Sequence, residues 1–248
     1  MAPVTRHYDD LLAPHYSWMN GMPLADKVAE QQLLLAELGL TAGPKGAAVD
    51  LGSGPGYQSF ALANLGYQTV VAIDTSRHLL DELEAARADY PVQVVLADLR
   101  AFPGFVERGT ADAIVCMGDT LTHLESRADI SRLFLDAHEA LAPGGHLVLT
   151  FRDLSIDLNG LDRFLPVRAD DHRIMVCALD YEPESVVVND LVHVRDGDGW
   201  TLHKSSYRKL RLVPATLAKE LEEIGFIIDH DRPAGRMHAI AARKRQEG

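Results

Sequence analysis

Cysteine is scarce in this chain: Cys116 and Cys177 are the two among 248 residues. Each sits in an apolar, strand-like run, so both read as small core side chains and not as a disulfide or a thiolate metal site. No clustered His/Cys ligand set occurs, and no metal is expected. No apolar run approaches the roughly 18 residues a membrane span needs. The opening MAPVTRHYDD has no basic-then-apolar leader pattern, so the expectation is a cytoplasmic chain with no membrane partner. Basic charge is in deficit: 24 Lys and Arg stand against 36 Asp and Glu, a formal net charge of −12. That balance argues against a surface built for a phosphate backbone, and no nucleic-acid partner is expected. KSSYRKLR (204–211) reads either as a local basic patch or as the wet face of a strand. Two nucleotide and hydrolase signatures are missing as well: no Gly-Lys-Ser/Thr follows a glycine loop, and no Gly-x-Ser-x-Gly elbow occurs.

What is present is alternation. ADKVAEQQLLLAELGL (25–40) is apolar at helical spacing, with Gly43-Pro44 as its expected stop. GAAVDL, QTVVAID, VQVVLADL, ADAIVCMG and HLVLTFRD read as strands, separated by the helical patterns YQSFALANLG, SRHLLDELEAARADY and ADISRLFLDAHEALAPGG. Such a rhythm predicts a parallel sheet with helices on both faces. After about residue 170 the pattern changes to period two, broken by Glu-Pro and Asp-Gly-Asp-Gly turns, which predicts an antiparallel meander. PATLAKELEEIG then returns as helix, and FIIDHD and RMHAIAARK as strands. The expected fold class is α/β: a Rossmann-like, seven-stranded, doubly wound sheet with its last strand antiparallel, an antiparallel β cap inserted after strand 5, and an N-terminal helical lid. The expected organisation is a single domain over 1–248, comprising a lid (1–40), a cofactor-binding core (45–170), a cap (171–213) and C-terminal core elements (214–248).

AAVDLGSGPGYQSF (47–60) leaves the first strand and opens a helix with Gly52, Gly54 and Gly56 at every second position. Glycines there permit the dihedrals and the close ligand approach of a backbone cradle. The spacing is G-x-G-x-G, whereas the dinucleotide fingerprint is G-x-G-x-x-G. Asp74, at the tip of the second strand, suits a pair of ribose hydroxyls, which dinucleotide and adenosyl ligands both offer. Asp98-Leu99, at the tip of the third, either takes the exocyclic amine of an adenine with Leu99 against the ring, or caps the following turn.

VDLGSGPG, AIDTS, LADLRAFP, AIVCMGDTLTHL and LAPGGHLVLTF, in this order, resemble the successive motifs of class I S-adenosylmethionine-dependent methyltransferases over about residues 45–151. The resemblance implies S-adenosylmethionine as cofactor and S-adenosylhomocysteine as product. It implies Asp50 near the methionyl end, Gly52, Gly54 and Gly56 around the methionine portion, and Asp74 on the ribose. Thr75 would flank the adenine, Asp98 and Leu99 would bind its edge, and the Met117 carbonyl region would meet the amino group. MGDTLTHLES resembles the loop of glycine/sarcosine-type small-molecule N-methyltransferases, so methyl transfer to a small acceptor is expected, with nitrogen favoured over oxygen.

Methyl transfer needs alignment, water exclusion and sometimes removal of a proton. His123 and Asp119, leaving the fourth strand, are the candidate catalytic residues; His123 acts as base or packs at a helix start, and Asp119 serves catalysis or the turn. Tyr16 and Trp18, in the aromatic-rich YDDLLAPHYSWMNG, are candidates to cover the cofactor, an aromatic face suiting a sulfonium. Arg152 either grips an acidic acceptor or pairs with Asp153 or Asp157; Tyr181 and Tyr207 are candidate acceptor contacts in the cap. A small-molecule acceptor and a monomer or homodimer are expected. Two alternatives stand beside this reading: a non-catalytic S-adenosylmethionine-binding domain, and an NAD-dependent oxidoreductase using the same turn.

Overall fold

The computed structural model describes residues 3–43 and 45–246. Helices α1 (Pro3–His7) and α2 (Ala13–Asn20) open the chain, joined by a π-helical turn over Tyr8–Leu12, and α3 (Leu24–Glu37) follows. The chain then divides into two compact units: Pro23–Asp153 with Leu212–Gly248, and Met1–Met22 with Leu154–Arg211.

The larger unit is the wound sheet. β1 (Lys45–Leu51), α4 (Tyr57–Asn64), β2 (Tyr67–Asp74), α5 (Arg77–Ala86), β3 (Val92–Leu96), β4 (Ala111–Cys116), α6 (Arg127–Ala140) and β5 (Leu141–Phe151) alternate as the pattern predicts. The strands that close the sheet, labelled β10 (Phe226–Ala234) and β11 (Met237–Lys244), follow α7 (Pro214–Ile224). The sheet order is β10-β11-β5-β4-β1-β2-β3, with β11 antiparallel to β5 and the pairs among β1 to β5 parallel. The central strands are buried on both faces, which is why they read as near-continuous apolar runs: Ala48, Val49, Leu51, Ile114, Val115, Val148 and Leu149 are all fully buried. Strand order reverses between β1 and β4, and in such sheets ligands bind outside the carboxyl ends at that reversal.

Local chemistry sets the helix starts. The Ser76 hydroxyl accepts from the Leu79 N–H at 3.4 Å, and Ser126 accepts from Asp129 N–H at 3.1 Å, caps worth about 1 kcal/mol each. Leu79, Leu80 and Leu83 then form the buried stripe of α5. The first long helix ends at Glu37, earlier than the expected stop at Gly43-Pro44, of which Pro44 lies outside the described residues. Leu38 and Leu40 beyond it are buried in the sheet's core, so burial and not helix period explains their apolarity.

The smaller unit holds a four-stranded antiparallel sheet in the order β6-β7-β8-β9. Its strands are β6 (Phe164–Ala169), β7 (Arg173–Tyr181), β8 (Ser185–Asp196) and β9 (Gly199–Leu210). The meander of β7 to β9 matches the period-two reading; β6 lies before the expected cap boundary at 170/171. Pro166 and a register shift between Pro166 and Arg168 obscure its alternation, and an edge strand tolerates both. Likewise the expected lid segment 1–40 is divided, since α3 packs on α4 within the larger unit. Leu11 and Leu12 pack against Met175 and Val192 of the small sheet, and His7 Nε2–H donates to Asp190 Oδ2 over 2.9 Å. Among the described residues no helix is long and apolar enough to cross a membrane.

Candidate functional site

The glycine loop between β1 and α4 is held by the tip of β2. Gly52 and Ser53 donate backbone N–H bonds to the Ile73 carbonyl at 2.8 and 3.0 Å. Asp74 accepts from Gly54 N–H and Ser76 N–H, both at 2.8 Å, so one carboxylate ties the loop to its own turn. Gly52, Gly54 and Gly56 have φ of +74°, +50° and +91°, all in the left-handed region that favours glycine. A Cβ on Gly52 would lie 2.3 Å from Thr120 Cγ2, so the loop also packs directly on the turn after β4. Among the described residues the Ser53 hydroxyl, buried within this loop, has no hydrogen-bond partner.

Asp50, the last acid of β1, is 1% exposed and accepts the Ser59 hydroxyl at 2.6 Å. Burial pushes its carboxyl up to about 7; the Ser59 bond opposes that rise and the nearby Asp74 charge adds to it. The same burial raises the Cys116 thiol, which stays an inert core group. Asp98 takes the capping geometry, accepting from Arg100 N–H at 2.8 Å, and its carboxylate is also gripped by the Arg100 guanidinium at 2.7 and 3.0 Å. These bonds hold its pKa below the ordinary carboxylate range. A carboxylate has about four acceptor positions, so Asp98 keeps capacity for one more donor. Leu99 is half-buried beside it, and Thr75 is exposed.

The turn after β4 is built around Asp119, which is 3% exposed and has φ +78°. Its Oδ1 accepts from Arg152 N–H at 3.0 Å and from the Thr122 hydroxyl at 3.2 Å, and Oδ2 lies 3.5 Å from Arg152 Nε. Asp119 therefore fixes the turn, and Arg152 pairs with it, not with Asp153 or Asp157. Asp157 instead meets Arg211. The Met117 carbonyl accepts the Thr120 hydroxyl at 2.9 Å, and Gly118 N–H donates to the Thr150 hydroxyl at 2.9 Å. His123 closes the 3-10 turn Thr120–His123, half-buried with its Nε2 shielded from solvent.

Thus the carboxyl ends of β1 to β4 bring Asp50, the three glycines, Asp74, Asp98, Met117 and Asp119 to one edge of one sheet. Tyr16, Trp18, Tyr181 and Tyr207 belong to the smaller unit. Tyr207 is buried and stacks on His7 at 4.3 Å between ring centroids; the Arg211 guanidinium lies over Tyr181 at 5.3 Å. Trp18 meets two cations of its own unit, Arg168 and Arg173. Sequence reasoning missed Ser59, Thr120, Thr150 and Arg100, which hold the site acids and turns. Ordinary polar residues one turn away carry no signal until the fold juxtaposes them.

The sequence pattern of the family described as "Methyltransferase domain" matches residues 48–145, which span β1 to the start of β5. Residues 48–145 are thus similar to methyltransferase domains, over about two-fifths of the chain. The cypemycin N-terminal methyltransferase of a Streptomyces species is 35% identical over 105 residues, covering 42% of this chain and 41% of that protein. The glycine/sarcosine N-methyltransferase of Aphanothece halophytica is 27% identical over 113 residues, covering 45% and 42%. These alignments span about two-fifths of the curated relatives' length. Solved structures extend the likeness of fold: the CcbJ methyltransferase from Streptomyces caelestis has a TM-score of 0.76 at 22% identity, over 97% of this chain and 99% of that one. S-adenosylmethionine-bound CalS10, an amino pentose methyltransferase from Micromonospora echinaspora, has a TM-score of 0.71 at 17% identity, over 92% and 94%.

Proposed function

We propose that this protein transfers a methyl group from S-adenosylmethionine to a small-molecule acceptor, with nitrogen as the favoured acceptor atom. The observation that carries the reading is the glycine loop tied to Asp74, with acids at the tips of three neighbouring strands. The residues present fit the cofactor: a buried, unpartnered Ser53 hydroxyl in the loop, an acceptor left on Asp98, and carboxylates where hydroxyls and an amine would need them. Asp74 would hold the ribose hydroxyls, Asp98 with Leu99 the adenine edge, and Asp50, Gly52, Gly54 and the Met117 carbonyl the methionine portion. When bound, the sulfonium supplies an activated methyl carbon for in-line displacement.

The chain's own part is positioning. Half-buried Asp74 places negative charge beside the loop, which favours a cationic ligand in a site of reduced dielectric, while buried Asp50 is raised towards neutrality. Asp119 acts through the turn: with Arg152, Thr122 and Thr150 it sets the backbone from Met117 to His123. His123 is the imidazole on that turn, and as a base it would take the proton released by the acceptor. Nitrogen is favoured because two curated relatives that match about two-fifths of the chain are named glycine/sarcosine N-methyltransferases.

Incubation with methyl-labelled S-adenosylmethionine and fractionated cell extract, followed by mass identification of labelled products, tests the reading. A labelled small molecule with methyl on nitrogen supports it; confirmed cofactor binding with no labelled product favours a non-catalytic binding domain. His123→Ala is expected to lower turnover while donor affinity is kept, and unchanged turnover across neutral pH removes the base role.

A further inference from the structure

Within the smaller unit, Trp18 carries two guanidinium groups. Arg173 Cζ lies 4.9 Å from the indole centroid and Arg168 Cζ lies 5.5 Å from it. Arg168 donates to the Trp18 carbonyl and lies close over Gly21, whose φ of +76° favours glycine: a Cβ there would lie 2.6 Å from Arg168 Nη1, so the guanidinium would have to shift. Arg173 Nη1 is 3.4 Å from His15 Nδ1. Since guanidinium is always a donor, His15 accepts at Nδ1 and presents its Nε2–H elsewhere.

Neither cation is held in a close ion pair. Among the described residues neither Arg168 nor Arg173 has an ion-pair partner within 4.0 Å. Asp170 is the nearby acid: its oxygens accept from Trp18 Nε1 at 2.5 Å, His172 N–H at 2.8 Å and Arg173 N–H at 2.7 Å, and its charge also acts on Arg173. Strand register places His203 on the same face as Arg173, since Arg173 pairs with Val194, Val194 with Thr201, and His203 lies two residues on. Burial, then the charges of Arg173 and His203, lower the basicity of His15. In a chain of net charge −12, two guanidinium groups and two imidazoles gathered on one face, with the Asp170 charge acting on Arg173, make a local cationic cluster that a bound anion would complement.

We infer that Arg168, Arg173, His15 and His203, gathered around Trp18, form a binding site for a phosphoryl anion. One carboxylate is matched by one guanidinium fork; three phosphoryl oxygens can bridge two forks and an imidazole N–H, which is the donor set here. The phosphoryl group comes either on the acceptor itself or as a free phosphate or pyrophosphate acting as an effector. The inference does not depend on the methyl-transfer reading, since binding of the anion requires no donor.

The test is titration of the full chain with inorganic pyrophosphate by calorimetry at low ionic strength, and by Trp18 fluorescence in a Trp200→Phe background. Saturable binding that perturbs Trp18 and weakens at least tenfold in Arg173→Gln and Arg168→Gln, but not in Arg236→Gln on the β10–β11 turn, is the expected result. No binding, equal loss in all three variants, or tighter binding of acetate than of pyrophosphate overturns it. Phosphatase treatment of the extract separates the sources: loss of methyl acceptance places the phosphoryl group on the acceptor, whereas retained acceptance with pyrophosphate still bound makes it a separate effector. S-adenosylmethionine affinity, measured on the same samples, shows independently whether the donor site stands.

Discussion

Asp50 couples the cofactor loop to pH. Its carboxyl is raised from an ordinary 3.8 to about 7, chiefly by burial. That difference of about 3 pKa units, at ~1.4 kcal/mol each, corresponds to roughly 4 kcal/mol of stability. Because the folded carboxyl holds its proton more tightly than the unfolded one, the protonated form favours folding. The contribution is present in full below about pH 4 and is lost as pH rises through 7. Asp50→Asn keeps an oxygen to accept the Ser59 hydroxyl but cannot titrate. Urea unfolding of both proteins, followed by circular dichroism from pH 5 to 8.5, reads the effect as a difference between two curves. The variant is expected to gain on the wild type by about 2–3 kcal/mol across that range, most of it below pH 7.5, whatever the constant offset from the amide. Curves that run parallel within about 0.5 kcal/mol, the usual scatter of such measurements, would refute the assignment of Asp50 as a buried, near-neutral acid.

Further outcomes follow from the loops. Gly52→Ala adds a Cβ 2.3 Å from Thr120 Cγ2 at φ +74°, and is expected to cost about 2–4 kcal/mol and lower the melting temperature by at least ~5 °C. Thr120→Ala in the same chain should return part of that loss, and additive effects would show that the two residues do not touch. Asp119→Ala loses the Arg152 and Thr122 bonds and keeps an alanine at φ +78°, so it should cost about 2–3 kcal/mol in thermal unfolding. Asp119→Gly loses the same bonds without the backbone strain and should be about 1 kcal/mol less damaging; equal losses would remove the strain from the explanation.

The wound sheet was legible because parallel strands buried on both faces leave continuous apolar runs, and because Ser76 and Ser126 mark helix starts. The glycine loop was legible for a similar reason: three left-handed positions tolerate little but glycine. β6 was hidden by Pro166 and a register shift, and Leu38 and Leu40 extended a helical pattern past Glu37 because they are core residues of a loop. In the site, acids at strand tips could be placed from order alone, but their partners could not. Nothing in one dimension says that Arg152 meets Asp119, that Ser59 caps Asp50, or that Arg100 turns back on Asp98. Trp18 shows the same limit, since an aromatic face suited to a sulfonium proves to be occupied by Arg168 and Arg173.

The central claim is that the loop from Asp50 to Gly56, with Asp74, holds S-adenosylmethionine. Calorimetric titration of wild type and Asp74→Ala with S-adenosylmethionine, with NAD as the comparison ligand, tests it most directly. The account predicts saturable S-adenosylmethionine binding weakened ten- to a hundredfold in the variant, about 1.5–3 kcal/mol, and no comparable NAD binding. Tight NAD binding without S-adenosylmethionine binding, or S-adenosylmethionine affinity unchanged in Asp74→Ala, would contradict it.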